Sequence, residues 1–147
     1  MAGWTNTAAP ASEDFYLAKT NAAGTLLWQR TFGGSSTDRC QSAQQTKDGG
    51  YIMVGWTSSL GAGGEDVFLV KTDPSGTLEW SKPFGGVGNE RGYSVQQTKD
   101  GGYIIAGVAN ASGGASSTLY LIKTDCDGNS LDASNNAPTN DPIVPTP

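Results

Sequence analysis

The nine residues "QQTKDGGYI" stand at positions 44–52 and return unchanged at positions 96–104. The same offset of 52 residues carries Gly3-Trp4-Thr5 onto residues 55–57. A fixed period of this length indicates a repeat protein, and it is typical of propeller blades rather than of the shorter turns of leucine-rich or ankyrin solenoids.

The repeat defines the organisation of the chain. Two copies span residues 3–54 and 55–106, and a partial copy spans residues 107–130. Residues 131–147 leave the pattern and are rich in Pro, Asn and Thr, as an extended linker is. We therefore expect one repeat region, residues 1–130, followed by a C-terminal tail.

Composition favours an all-β fold and excludes two classes of partner. Glycine occurs 21 times in 147 residues and hydrophobic residues make up 36%, while turn residues recur at short intervals. The net charge of −5 opposes binding to nucleic acid. No apolar stretch approaches the roughly 20 residues that cross a bilayer, so we expect no membrane insertion.

The N-terminus carries no secretory signal pattern. Met1 falls one period before Met53 and two before Ile105, inside a repeated strand. We therefore expect the chain to be an excised or truncated piece of a longer repeat array.

Each period holds four strand patterns. "YIMVGW" at 51–56 and "VFLVK" at 67–71 are continuous apolar runs, which indicates burial on both faces. In "TLEWSKPF", Leu78, Trp80 and Phe84 share one face, as Leu26, Trp28 and Phe32 do one period earlier, and Pro83 fits only where no ladder donor is needed. The "QQT" strands are the most polar, so we place them at an exposed position or near an edge.

Tight turns connect these strands. The turn "KDGG" precedes the strands that begin at Tyr51 and Tyr103. The turn in "KTDPSGTL" and its equivalents places Asp or Asn and Gly between another two strands, as hairpins require. Four antiparallel strands per 52 residues would make one blade, so the chain would hold two and a half blades.

Residues 3 to about 129 resemble the bacterial and archaeal seven-bladed β-propeller repeat. The resemblance rests on Gly-aromatic-Thr-Ser, Asp-aromatic-Leu-x-Lys, Asp-x-x-Gly-x-Leu-x-Trp and Phe-Gly-Gly in order, as in the stretch that begins "GWTSSLGAGGEDVFLVKTDPSGTLEW" at Gly55. It implies β-propeller blades and an extracellular or cell-surface setting. Because a closed propeller needs at least four blades, we expect homo-oligomerisation to complete the fold.

Catalytic chemistry finds little support in the residues. The chain has no histidine, which excludes Ser-His and Cys-His nucleophiles. The acidic pairs Glu13-Asp14 and Glu65-Asp66, and the pairs Asp38-Arg39 and Glu90-Arg91, recur with the period, which favours a structural role. We expect no enzyme activity, no catalytic residue and no cofactor.

One turn is a candidate calcium site. "DCDGNSLD" at 125–132 offers oxygen ligands from Asp125, Asp127, Asn129 and Asp132, although its register differs from the EF-hand and the bidentate Glu is missing. The alternative is a hairpin turn with a frayed end.

Cysteines and tryptophans are assigned to structure. Cys40 and Cys126 stand outside the repeat pattern, so we expect free thiols, with a bridge between chains as the alternative. The four tryptophans, Trp4, Trp28, Trp56 and Trp80, occupy repeated strand positions, which favours core between blades over sugar-stacking platforms.

Variable loops are the better binding candidates. The loops "NTAAPASE", "SSLGAGGE" and "NASGGASS" occupy equivalent positions but differ in sequence, and they would share one rim of a propeller. Asn6, Ser58, Asn110 and Ser112 mark them, and Asn110–Ser112 also matches a glycosylation acceptor.

Two functions follow from these observations. The first is a noncatalytic propeller-type scaffold or interaction module that assembles with itself through incomplete blades. The alternative is a binding module for glycans or proteins at the loop rim.

Overall fold

The computed structural model describes residues 1–8, 12–110 and 117–131, and these residues form ten β-strands and no helix. The described part contains no helical segment that could cross a bilayer. The expectation of an all-β fold is confirmed. The strands are β1 (Ala2–Ala8), β2 (Ser12–Thr20), β3 (Leu26–Phe32), β4 (Asp38–Gln45), β5 (Tyr51–Thr57), β6 (Asp66–Thr72), β7 (Leu78–Phe84), β8 (Asn89–Gln97), β9 (Tyr103–Asn110) and β10 (Ser117–Thr124).

The strands form three antiparallel sheets, ordered β1-β2-β3, β4-β5-β6-β7 and β10-β9-β8. We call these the first, middle and last sheets. This grouping of three, four and three strands differs from the expected two blades and a half. The reason is that a sheet starts with its polar "QQT" strand and not at the start of the repeat. The first sheet therefore lacks that strand, and the last sheet lacks the fourth.

The middle sheet is covered on both faces, as the continuous apolar runs predict. Every residue of β6 is buried, and six of the seven residues of β5 are. One cluster joins the first and middle sheets through Phe15, Phe68 and Val70, and a second joins the middle and last sheets. Prediction and structure agree here because neighbouring sheets supply apolar surface on both sides.

The repeated "KDGG" turn needs each of its glycines for a different reason. Gly49 has a φ of +86°, a left-handed conformation that L-residues avoid. A Cβ on Gly50 would collide with the carbonyl oxygen of Thr72. Gly101 and Gly102 repeat both features, with a φ of +90° at Gly101.

The "QQT" residues before this turn connect adjacent sheets. The backbone N–H of Gln97 donates to Gln44 Oε1 at 2.9 Å, and the N–H of Lys47 donates to Gln97 Oε1 at 2.9 Å. Strands β4 and β8 lie at sheet edges, as predicted. The phrase recurs because one turn geometry is used twice, and the two copies meet each other in a single joint between the middle and last sheets.

The last strands of the first and middle sheets, β3 and β7, contact the following sheet through their tryptophans. Trp28 packs edge-on against Tyr51 with ring centroids 5.8 Å apart, and Trp80 packs against Tyr103 in the same way at 5.9 Å. These two tryptophans are partly buried and pack against the apolar clusters between sheets, in agreement with the predicted core role. The core role predicted for Trp4 is wrong, because its side chain is half exposed. Pro83 lies in β7, the edge strand of the middle sheet, which agrees with its missing N–H.

The prediction that Leu26 and Leu78 share the buried face of these strands is wrong. Their side chains are half exposed, because the register shifts between Leu26 and Trp28, opposite Lys19/Thr20, and likewise between Leu78 and Trp80, opposite Lys71/Thr72. A bulge of this kind turns the first residue of the strand away from the core.

The contact between Trp28 and the turn at Gly76 yields a matched pair of variants. Gly24 and Gly76 have nearly equal φ values of +81° and +80°, but a Cβ on Gly76 would lie 2.7 Å from the Trp28 ring, whereas one on Gly24 meets nothing within 4 Å. We expect Gly24→Ala to cost about 1 kcal/mol from backbone strain. We expect Gly76→Ala to cost roughly 1–3 kcal/mol more from overpacking.

Urea unfolding of both variants measures the difference. Equal midpoints for Gly24→Ala and Gly76→Ala would show that the packing of the Trp28 ring tolerates a Cβ at position 76, which would contradict the prediction.

Candidate functional site

Loops and crossings between sheets gather at one end of the three sheets, which we call the loop rim. Loop 58–65 lies between the crossing segments 33–37 and 85–88. The N–H of Ser36 donates to Ser59 Oγ at 3.0 Å, and the N–H of Gly64 donates to the carbonyl oxygen of Gly88 at 3.2 Å. The loop is thus tied to both junctions between sheets.

A row of alternating tryptophan and arginine side chains runs along this rim. The Arg39 guanidinium lies 4.9 Å from the Trp4 ring and 6.0 Å from the Trp56 ring, and Arg91 lies 4.9 Å from Trp56 on its other side. Cation–π contacts of this kind stabilise packing by about 0.5–1 kcal/mol where they are exposed. Trp56 is buried, whereas Trp4 ends the row and is 49% exposed.

Each arginine also holds the preceding sheet through a bidentate ion pair. Arg39 donates to both carboxylate oxygens of Glu13, with its Nη2 2.9 Å from Oε1, and Arg91 does the same to Glu65 at 2.8 Å. These pairs span the two junctions between sheets. The structural role expected for the recurring Glu13, Glu65, Arg39 and Arg91 agrees with this geometry.

Their sequence neighbours form two buried pairs of carboxylates. Asp14 meets Asp38 at the first junction, and Asp66 meets Glu90 at the second, and all four side chains are buried. A Cβ on Gly33 would contact Asp14 Oδ1 and lie 2.6 Å from Asp38 Oδ2. Neither pair is apparent from the sequence, because the two partners stand 24 residues apart. The sequence feature that points to the pairs is the recurrence of these acids together with Phe-Gly-Gly.

The hydrogen bonds of these carboxylates are incomplete. Asp38 Oδ2 accepts from the N–H of Gly34 and from Ser59 Oγ, both at 2.8 Å, and Glu90 Oε2 accepts from the N–H of Gly86 at 2.7 Å. Within the described residues, Oδ1 of Asp14, of Asp38 and of Asp66 is buried without a hydrogen-bond partner. A buried oxygen in this state costs free energy.

Burial and like charge perturb the acids at both junctions. Burial, followed by the neighbouring Glu90 charge, raises the pKa of Asp66 to about 6. Burial and the Asp38 charge raise the pKa of Asp14, and burial raises the pKa of Glu90. The junctions therefore favour a proton or another positive charge near neutral pH.

The predicted calcium turn is closed by its own hydrogen bonds. Asp125 Oδ1 accepts from the N–H groups of Asp127 and Asn129 at 3.0 and 2.7 Å, and Lys82 donates to Asn129 Oδ1. Asn21 caps the equivalent turn of the first sheet without a charge. Asp132 lies outside the described residues, and calcium at this turn stays a prediction.

The four loop residues named above fall on the loop rim or beyond the described part. Asn6 and Ser58 are exposed at the ends of β1 and β5, and Asn110 ends β9 half-buried. Ser112 lies outside the described residues. A ligand at these positions stays a prediction.

The opposite end of the sheets carries a groove of about 700 Å³, lined by residues that include Trp80, Tyr103 and Cys126. The buried Lys71 ammonium at its base is bonded to Glu79 at 2.7 Å and to Asp48 at 2.9 Å. The Lys71 ammonium is thus neutralised by ion pairs within the chain, which favours a structural joint.

Cys40 and Cys126 form no disulfide with each other. A bridge between chains stays a prediction. Cys40 is buried among residues of the first and middle sheets, and this burial raises the pKa of its thiol to about 12. Cys126 is exposed at the groove. Within the described part of the chain, no three Cys, Asp or Glu side chains come together as metal ligands.

The raised pKa of Asp66 predicts a pH dependence of stability. Because its folded pKa lies above the unfolded value, the carboxyl stabilises the fold fully only below the unfolded pKa, and this stabilisation is lost as pH rises through about 6. We expect the free energy of unfolding in metal-free buffer to fall by about 1.5 kcal/mol from Asp66 alone between pH 5 and pH 8. Asp66→Asn should remove that part of the slope, and the exposed Asp127→Asn should keep it.

Two other acids do not interfere in this window. A hydrogen bond from Thr46 and the nearby Lys71 lower the pKa of Asp48 to about 2, and equivalent contacts lower that of Asp100 to about 2. Their contribution is lost only as pH falls below their unfolded pKa, so it lies outside pH 5 to 8. Urea unfolding at three pH values provides the measurement, and an unchanged slope in Asp66→Asn would refute the assignment.

Comparisons with known proteins do not assign the chain to a family. No protein-family model matches the chain, and no curated protein is significantly similar to it. The resemblance to the seven-bladed propeller repeat therefore rests on the repeated residues alone.

Proposed function

We propose that the chain is a noncatalytic scaffold of propeller type, in which each sheet is one blade and copies associate through the end sheets. The observation that carries this proposal is the free face of the last sheet. That face carries apolar residues at the repeat positions that the middle sheet buries.

Exposure of equivalent residues measures this difference. In the middle sheet Ile52, Val67 and Leu69 are 0% exposed, because the last sheet covers them. One period later Ile104, Leu119 and Leu121 are 40%, 68% and 39% exposed. An apolar sheet face that lacks a cover favours association.

The free face of the first sheet offers a matching surface. Where the middle sheet presents Phe68 and Val70 to its neighbour, the first sheet carries the half-buried Tyr16 and the buried Ala18 at the same repeat positions, so of these two a second copy would contact Tyr16. Phe68 packs edge-on against Phe15 with ring centroids 5.1 Å apart. Leu119 stands one period after Val67 and two after Phe15, so a second copy would place its Tyr16 opposite Leu119.

The free faces of the two end sheets also lack the charged residues that meet at the junctions within the chain. The middle sheet uses Glu65 and Asp66 to meet a polar strand of the next sheet, whereas the last sheet has Ser117 and Thr118 at these positions. The first sheet has no polar strand in front of β1 to meet. Stacking the last sheet of one copy on the first sheet of another therefore buries no unpaired acid.

This contact joins two different surfaces. A heterologous contact of this kind closes into a ring when its rotation permits, and otherwise it extends into an open array. A closed ring would be the propeller implied by the family resemblance, assembled from several chains. The extracellular setting rests on the same resemblance.

A second function is a binding module for glycans or proteins at the loop rim. The observation that favours it is Trp4, which is half exposed at the end of the Trp–Arg row while its equivalent Trp56 is buried. Aromatic faces of this kind stack on sugars. A carbohydrate array separates the two proposals, because a purely structural repeat shows no saturable binding.

Light scattering after size exclusion, over a concentration series, tests self-assembly. We expect a discrete multiple of 15.2 kDa for the wild type. Leu119→Lys should reduce the assembly to monomer because it places a charge on the free face of the last sheet. Val87→Lys is the matched control, since Val87 is a 75% exposed apolar residue in a crossing segment away from that face.

Two results would contradict the proposal. One is a monomer at all workable concentrations with a cooperative melt, which would make the chain self-sufficient. The other is dissociation by Val87→Lys as readily as by Leu119→Lys, which would place the contact elsewhere.

A further inference from the structure

We propose that each junction between sheets binds a hard divalent cation, Ca²⁺, between its two buried carboxylates. The first site would use Asp14 and Asp38, and the second Asp66 and Glu90. These sites are distinct from the turn at Asp125 and do not depend on self-assembly.

The oxygens without partners point to a missing positive charge. Asp14, Asp38 and Asp66 each bury an Oδ1 that no donor of the described residues reaches, and each of these side chains is more than nine-tenths buried. Asp14 Oδ1 and Asp66 Oδ1 are also the atoms that face Gly33 and Gly85. Buried charges persist when they are paired or bind metals.

Glycine keeps the point of convergence free of side-chain atoms. A Cβ on Gly33 would contact both Asp14 and Asp38, and a Cβ on Gly85 would contact Asp66 Oδ1 and Glu90 Oε2. The Phe-Gly-Gly element thus provides the same space at both junctions. Carboxylate oxygens are the ligands that Ca²⁺ prefers, and backbone carbonyls and water can complete its shell.

The nearest arginines do not neutralise these pairs. Arg39 is engaged by both oxygens of Glu13 and stacks on Trp4, and Arg91 is engaged in the same way by Glu65. The adjacent glutamates therefore consume the guanidinium charges. The hydrogen bonds to Asp38 and Glu90 come instead from the N–H groups of Gly34 and Gly86 and from the Ser59 hydroxyl, none of which is charged.

A bound proton is the competing explanation, since one shared proton would also relieve two facing carboxyl groups. The two explanations differ in what stabilises the fold at neutral pH. A cation site gains stability from added Ca²⁺ at pH 7.5, whereas a proton-sharing pair gains it only on acidification.

Calorimetric titration of CaCl₂ into the chelator-treated full chain at pH 7.5 tests the proposal. We expect saturable binding of two ions per chain at the roughly millimolar affinity of extracellular calcium modules. The melting temperature should rise with Ca²⁺ over the same range. The Asp66→Asn/Glu90→Gln variant should bind one ion, and the further addition of Asp14→Asn/Asp38→Asn should bind none.

Asp127→Asn is the control, because Asp127 is an exposed acid of the Asp125 turn and should leave two ions bound. The wild-type titration decides the proposal even if a junction variant folds poorly. Absence of heat and of any shift in melting temperature, with stabilisation at pH 5 instead, would overturn the cation sites in favour of a shared proton. Binding lost in Asp127→Asn but kept in the junction variants would overturn them in favour of the turn.

Discussion

Burial of both faces of a sheet is the constraint on which this structure depends. A strand such as β6, in which every residue is buried, cannot exist in an isolated sheet. It needs a neighbour on each side, and the repeat supplies one by placing the same sheet pattern 52 residues earlier and later. The last sheet has the same pattern without a later neighbour, and the exposure of its apolar residues Ile104, Leu119 and Leu121 follows from this.

Joints between sheets combine apolar and polar contacts that fix one relative placement. The apolar clusters stabilise association but have little directional preference. Direction comes from the glutamine bonds between β4 and β8 and from the bidentate pairs of Arg39 and Arg91. The buried carboxylates lower the stability of the junctions unless a positive charge lies between them. The same junctions therefore hold both the polar contacts that orient the sheets and the acids whose burial costs free energy.

Much of this architecture could be predicted from the sequence. The repeat, the double burial of β5 and β6 and the tight turn at Gly49 follow from local patterns. The sheet boundaries do not, because a repeat determines a period but not where each unit begins. Exposure of Leu26 depends on a bulge that no pattern of alternation reveals. Asp14 and Asp38 meet only through the packing of two sheets, so their pairing was beyond sequence reasoning.

The contact between Trp80 and the turn that follows it determines how closely two sheets approach at one edge. Trp80 lies in β7, an edge strand of the middle sheet, and its indole separates that strand from the Gly128 turn of the last sheet. Trp28 does the same between β3 and the Gly76 turn of the middle sheet. A smaller residue at either position would let the edge strand and the turn of the next sheet move closer together.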